Sequence, residues 1–210
     1  YSVANDNQFS LSEYYNISSY GALNVQSFLT DWYYASDSYD DMRESMLEQE
    51  TSAEITNWVK KTYPNLDWSL YDKDKNGLID LVIFINTGDA TGYDSFSPLS
   101  YGGAYSGYFS YTGELAGTPK DPTVNNHLST NLGMLYKDTV IGDTTDYFPN
   151  VLIHEFAHCL GLIDYYDVNY SGIDAVGGYD MQSSNYGDWN VYSKYGVGWL
   201  KPTIITEDSF

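Results

Sequence analysis

The chain predicts a mixed α/β fold, of the α+β kind, and three observations carry that expectation. Apolar residues recur at helical spacing between 40 and 61, a short run at 78–85 is rich in leucine, isoleucine and valine, and a strongly apolar stretch covers 146–160. A length of 210 residues fits one domain, 1–210, read as an upper lobe over about 11–160 and a lower lobe over about 161–210.

Residues 1–10 are polar and read as a frayed start, and 11–17 read as a short helix begun by Ser10 or Ser12. Residues 20–29 read as a strand. Between 40 and 61, Met42, Met46, Leu47, Ile55, Trp58 and Val59 mark one broken helix or two, stopped by Tyr63 and Pro64. Residues 78–85 read as a buried strand, because the run is short and follows a turn. From 87 to 127, glycine, serine, tyrosine and proline dominate without periodicity, the pattern of a functional loop or irregular lobe lining a cleft. Residues 132–141 restore strand character. The helix expected over 146–160 starts at Asp146 or with Pro149 in its first turn, and Gly161 stops it.

Composition removes several functional classes. Asp and Glu number 29 against 9 Lys and Arg, a net charge of -20 that repels phosphate backbones and disfavours nucleic acid as a partner. Cations are the better partners for such a surface. No apolar run approaches the roughly 20 residues of a membrane span. The lone Cys159 excludes an internal disulfide framework. The chain begins at Tyr1 without a basic, apolar leader, so it reads as a trimmed fragment or a processed product with any targeting signal upstream, which leaves room for an upstream propeptide. The 23 tyrosines read mainly as half-buried packing.

The chemistry lies in His154-Glu155-Phe156-Ala157-His158. Residues four apart share a helix face, so two imidazoles can point at one ion, and the spacing fits zinc. Glu155 stands beside the first imidazole, where its carboxylate can take a proton from an activated water instead of occupying the metal. With three histidines and eight glutamates in the chain, a shuffled sequence would carry this pattern roughly twice in a thousand trials. A catalytic zinc needs a third protein ligand and an open position. The remaining histidine is His127 and the only later glutamate is Glu207, so Asp164, six residues beyond His158 and just after Gly161, leads, with His127 the alternative.

This run, His-Glu-x-x-His-x-x-Gly-x-x-Asp followed by Tyr165-Tyr166-Asp167, resembles the immune inhibitor A family of secreted bacterial zinc metallopeptidases, within the metzincin-like group. Gly177-Gly178-Tyr179-Asp180-Met181 is similar to that family's methionine turn, Trp189 to Trp199 to its closing helix and Gly-Trp ending, and Glu13-Tyr14-Tyr15 with Ser19-Tyr20-Gly21 to its early segment. The resemblance covers roughly residues 11 to 200. Ala157 and Ile163 depart from it, standing where the family commonly has glycine and proline. It implies a zincin-like domain with a twisted mixed sheet, an active-site helix and an irregular C-terminal lobe in which Met181 lies beneath the metal. It also implies secretion and hydrolysis of protein or peptide substrates, with zinc held by His154, His158 and Asp164 and Glu155 as general base. The substrate is expected in a cleft between the lobes, extended along a sheet edge at 132–141. The alternative is a non-catalytic, metal-stabilised binding or adhesion module on a degenerate peptidase fold.

A second stretch, Asp72-Lys73-Asp74-Lys75-Asn76-Gly77-Leu78-Ile79-Asp80, alternates oxygen donors and puts glycine at the sharp turn, as calcium loops do. Asp72, Asp74, Asn76 and Asp80, with a backbone carbonyl near Leu78, could gather around one calcium ion. It departs from an EF-hand because Ile83 replaces the twelfth-position glutamate and a strand follows. Asp167, Asn169 and Asp174 form a looser acidic cluster without a recognised spacing, and Tyr166, Tyr179 and Tyr186 compete as oxyanion donors with packing as the default. Cys159 lies about 100° around the helix from His158, which makes it a small buried residue and not a ligand.

Overall fold

Serine at an N-cap followed by glutamate three residues later starts the first helix. In the structure, a computed structural model that describes residues 10–34, 49–86, 105–108, 117–131, 136–138, 145–147, 150–167, 171–173, 175–184 and 187–205, Ser10 caps α1 (Leu11–Ser18). Its hydroxyl accepts from the Glu13 N–H at 3.1 Å, satisfying a donor that the first helical turn leaves open. The fold is mixed α/β, as expected. The other helices are α2 (Gln49–Thr62), α3 (Asn150–Cys159), α4 (Met181–Ser184) and α5 (Val191–Gly196). The strands are β1 (Leu78–Ile79), β2 (Val82–Asn86), β3 (Tyr105–Tyr108), β4 (Thr123–Val124), β5 (Asn126–Asn131), β6 (Tyr136–Asp138) and β7 (Thr145–Tyr147).

The chain forms two compact units, Tyr1–Gln26 with Phe148–Phe210, and Ser27–Tyr147. In the second unit, β5 is the centre of a three-stranded sheet ordered β2-β5-β3, parallel to β2 and antiparallel to β3. β1 pairs with β4 in parallel, and β6 with β7 in antiparallel. Ile79 and Val124 are buried against Trp68, Tyr71 and Val82, so the short β1–β4 ladder is backed by aromatic packing. Lys60 on α2 ties in the segment before β4: its ammonium binds the Asp121 carboxylate and the Pro122 carbonyl and lies 5.3 Å from the Trp68 ring centre.

Several expectations are corrected here. Residues 20–29 form no strand: Tyr20 and Gly21 turn the chain with φ of 57° and 82°, and Phe28 and Leu29 remain exposed among the described residues. The run 78–85 is two strands because Asp80 interrupts it, turning its carboxylate back to accept from the Lys73 N–H while β1 and β2 take different partners. The strand placed at 132–141 is represented by Tyr136–Asp138 alone among the described residues, since 132–135 and 139–141 lie outside them. The main strand of that region is β5, whose sequence buries His127, Ser129 and Thr130 and so lacks the apolar signature. Strands β3 and β4 lie within 87–127, whose residues 87–104 and 109–116 are outside the described set. The motif helix starts at Asn150, because Asp146 belongs to β7 and pairs with Lys137; Pro149 is not described. Helix α2 ends at Thr62, before Tyr63 and Pro64 as expected, while 40–48 and residues 1–9 fall outside the description.

The first unit is organised around Tyr15, which is fully buried. Its ring meets Phe156, Trp189 and Trp199 at centroid distances of 4.5, 5.1 and 6.1 Å, and its hydroxyl donates to the Ile153 carbonyl of α3 at 2.7 Å. Each such aromatic pair adds about 0.5–1.5 kcal/mol beyond the area it buries. Burial, reinforced by Tyr14 and Cys159, pushes the Tyr15 hydroxyl well above the usual phenol range, and burial with Asp188 and Asp180 does the same for Tyr14. The folded state therefore holds these protons where the unfolded chain releases them. Stability is unaffected below about pH 10 and falls as the pH rises past it. In an alkaline absorbance titration, Tyr15→Phe is expected to leave the tyrosines ionising near pH 10 unchanged in number; a loss of one from that phase would show that Tyr15 is not held as described.

Candidate metal centre

On α3, His154 and His158 stand one turn apart, as the i, i+4 spacing requires. Their ring centres are 5.0 Å apart. The helix ends in a glycine cap in which Gly161, at φ 89°, donates to the His158 carbonyl at 2.9 Å and Leu162 donates to the Ala157 carbonyl at 3.1 Å. This cap does more than stop the helix. It turns the chain back so that the Leu162 carbonyl lies 2.8 Å from His158 Nδ1, and two residues later Asp164 reaches both imidazoles.

The hydrogen positions on the two rings follow from their partners. His154 Nδ1 donates to the Met181 carbonyl at 3.1 Å and His158 Nδ1 to the Leu162 carbonyl, because a carbonyl oxygen can only accept. Each Nε2 is then the ring atom left to face Asp164. Asp164 Oδ1 lies 2.9 Å from His154 Nε2 and 3.4 Å from His158 Nε2, so two ring nitrogens and one carboxylate oxygen converge. The ligand atoms of His154, His158 and Asp164 all lie within 4.8 Å of one another. Protons or a cation must lie among such a set, and two imidazoles with one carboxylate could hold a metal ion.

Glu155 stays beside this group, its Oε2 being 4.0 Å from His158 Nε2. His127, the alternative third ligand, lies on β5 of the other unit, where its Nδ1 faces the Asn125 carbonyl at 3.5 Å and burial lowers its pKa. Cys159 contacts the Glu155 carbonyl at 4.0 Å, and burial with the nearby Glu155 raises its thiol pKa to about 11, so it stays a protonated thiol at neutral pH.

Met181 is buried, and its backbone carbonyl touches the first imidazole. The turn before it uses Gly177 and Gly178 at φ 62° and 72°. Asp180, fully buried, then locks that turn to α5 by accepting from the N–H groups of Gln182 and Asn190 and from the Ser193 hydroxyl, each at 2.8 Å. The resemblance picked out Met181 but gave no role to Asp180. The sequence signal that marks it is an aspartate set between the glycine pair 177–178 and Met181. The Tyr166 hydroxyl donates to Asp164 Oδ2 at 3.1 Å, and its ring stacks on His154 at 6.3 Å. Tyr166 also borders an open pocket of about 390 Å³ lined by Asp167, Gly172, Ile173, Gly178 and Ser183. Tyr179 is 85% exposed, and Tyr186 lies outside the described residues. Of the looser acidic cluster, Asp167 is engaged by the N–H groups of Gly172 and Ile173 and the Ser171 hydroxyl, while Asn169 and Asp174 are not described.

The loop 72–80 gathers a second group, with carboxylate oxygens of Asp72, Asp74 and Asp80 within 4.8 Å of one another. Asp72 is buried and accepts from the N–H groups of Asn76 and Gly77 at 2.9 and 2.8 Å. Asn76 turns its amide oxygen to the Leu78 N–H at 2.7 Å and its amide nitrogen to Asp74 at 2.9 Å. Burial, with Asp74 and Asp72 adding to it against the Lys73 N–H, raises the Asp80 pKa.

No family model, curated protein or solved structure matches this chain.

Gly77 sits at φ 82°, and a Cβ there would lie 2.3 Å from the Gly117 carbonyl oxygen. Gly77→Ala is therefore expected to cost at least about 1–3 kcal/mol in urea unfolding, from backbone strain and displacement of the 117 segment. A variant as stable as the parent would show that the loop is not built this way.

Proposed function

We propose that this chain is a secreted zinc-dependent endopeptidase with a zincin-like catalytic domain. The observation that carries the reading is the convergence of His154 Nε2, His158 Nε2 and Asp164 Oδ1, with both Nδ1 atoms committed to backbone carbonyls and the Glu155 carboxylate left outside the set. His154, His158 and Asp164 would hold the ion, leaving a position for water. The chemistry a zinc ion supplies when bound is a water acidified towards pKa ~7 and a polarised peptide carbonyl. The resemblance of 154–167 and 177–181 to secreted metallopeptidases supports peptide bonds as the substrate and an extracellular setting.

The chain's own residues supply proton handling and orientation. Glu155, one residue from His154, takes the proton of the attacking water and passes it to the departing amine, so one carboxylate serves as base and then acid. The Met181 and Leu162 carbonyls keep the imidazoles in the tautomer that presents Nε2. Glu155→Gln keeps the size of the side chain and removes its basicity. It is expected to retain zinc at one ion per chain by elemental analysis while cleavage of labelled casein falls roughly 10²- to 10⁴-fold. Undiminished cleavage would remove Glu155 from the mechanism, and absence of zinc in the parent would leave the non-catalytic binding module as the better reading.

Asp72, Asp74 and Asp80, assisted by Asn76 and the Leu78 carbonyl, form a calcium site in this reading, supported by three clustered carboxylates whose mutual repulsion a divalent ion relieves. Calcium in excess is expected to raise the unfolding temperature, and Asp74→Ala to abolish that response. An unfolding temperature indifferent to calcium would count against the site.

A further inference from the structure

Asp164 has two carboxylate oxygens, and the structure treats them differently. Oδ1 faces the two imidazoles at 2.9 and 3.4 Å, whereas Oδ2 accepts from the Tyr166 hydroxyl at 3.1 Å. The Tyr166 ring meanwhile lies stacked on His154, 30° from coplanar and 6.3 Å between centres. One side chain therefore touches two of the three groups of the centre, at a distance of only two residues from the carboxylate. The alternation Asp164, Tyr165, Tyr166 sends the two tyrosines to different duties: the Tyr165 hydroxyl meets the Ser193 hydroxyl at 3.4 Å.

We propose that Tyr166 is a positioning residue of the metal centre: its hydroxyl occupies Asp164 Oδ2, restricting the carboxylate to one oxygen towards the ion and preserving an open position. The inference rests on the metal reading given above. A carboxylate free to turn can present both oxygens to a divalent ion, and a site filled in that way has less room for water or substrate. A hydrogen bond from a neutral phenol to an anionic oxygen is charge-assisted, which makes Oδ2 a poorer donor to metal and fixes the plane of the carboxylate. The stacking on His154 keeps the hydroxyl in register with the group it serves.

Tyr166→Phe removes the hydroxyl and keeps the ring; because Tyr166 is about half exposed, the protein is expected to fold with an unchanged unfolding temperature. The probe is cobalt(II) loaded in place of zinc, whose visible bands lose intensity as a four-ligand site gains a fifth. The expected result is weaker cobalt bands together with turnover of labelled casein lowered roughly 10- to 100-fold at little-changed KM. Tyr165→Phe, lacking a neighbouring hydroxyl that does not touch Asp164, should match the parent in both readouts. Unchanged bands and turnover in Tyr166→Phe, or equal changes in Tyr165→Phe, would overturn the positioning role and leave the metal reading standing. If the parent takes up no cobalt, or His158→Ala takes up as much as the parent, the metal reading fails and this inference with it.

Discussion

The centre depends on two hydrogen bonds that no metal is needed to form. The carbonyls of Met181 and Leu162 each take an Nδ1 hydrogen, so His154 and His158 turn their Nε2 atoms towards Asp164. Without those acceptors a ring could flip or change tautomer, and the i, i+4 spacing on α3 would guarantee proximity without guaranteeing aim. The two acceptors arrive by different routes. Leu162 is delivered by the glycine cap at the end of the same helix, whereas Met181 comes from a turn 27 residues beyond His154.

That second route explains the concentration of buried polar groups around the turn. Asp180 is sealed from water and satisfied by three donors, two of them from the start of α5, where Asn190 also caps the helix by accepting from the Ser193 N–H. Lys194, nearly fully buried, pairs with Asp188 and lies 4.6 Å from the Tyr20 ring centre. Asp188 also takes the Ser18 hydroxyl at the end of α1, and its carbonyl accepts the Met181 N–H at 3.2 Å. Removing one member of such a network strands the others, so the position of the Met181 carbonyl is over-determined. Tyr15, Trp189 and Trp199 supply the apolar packing behind it.

Much of the centre was legible in the sequence because its signals are local. The histidine pair, Glu155, Gly161 and Asp164 fall within eleven residues, and helix periodicity with a glycine stop fixes their mutual placement. The acidic loop was legible for the same reason, down to the glycine that admits the Gly117 backbone. The acceptors for the Nδ1 hydrogens were not: a backbone carbonyl carries no side-chain signature, and which one meets His154 is decided by tertiary packing. Strand β5 is not legible in the sequence, because it buries His127, Ser129 and Thr130 where strand patterns expect valine or isoleucine. At 20–29 the strand-like composition misleads in the other direction, because the run opens with a turn at Tyr20 and Gly21 and continues as a segment without strand pairing. Strands need partners, and partners are long-range information.

X-ray absorption at the zinc edge, on protein purified without added metal, reads the proposed ligand set of His154, His158 and Asp164. Two imidazole nitrogens with oxygen donors, all at about 2.0–2.2 Å, are expected around the ion, with loss of one imidazole contribution in His154→Ala. A zinc shell containing sulfur, one containing no imidazole, or a protein that carries no metal would contradict that ligand set.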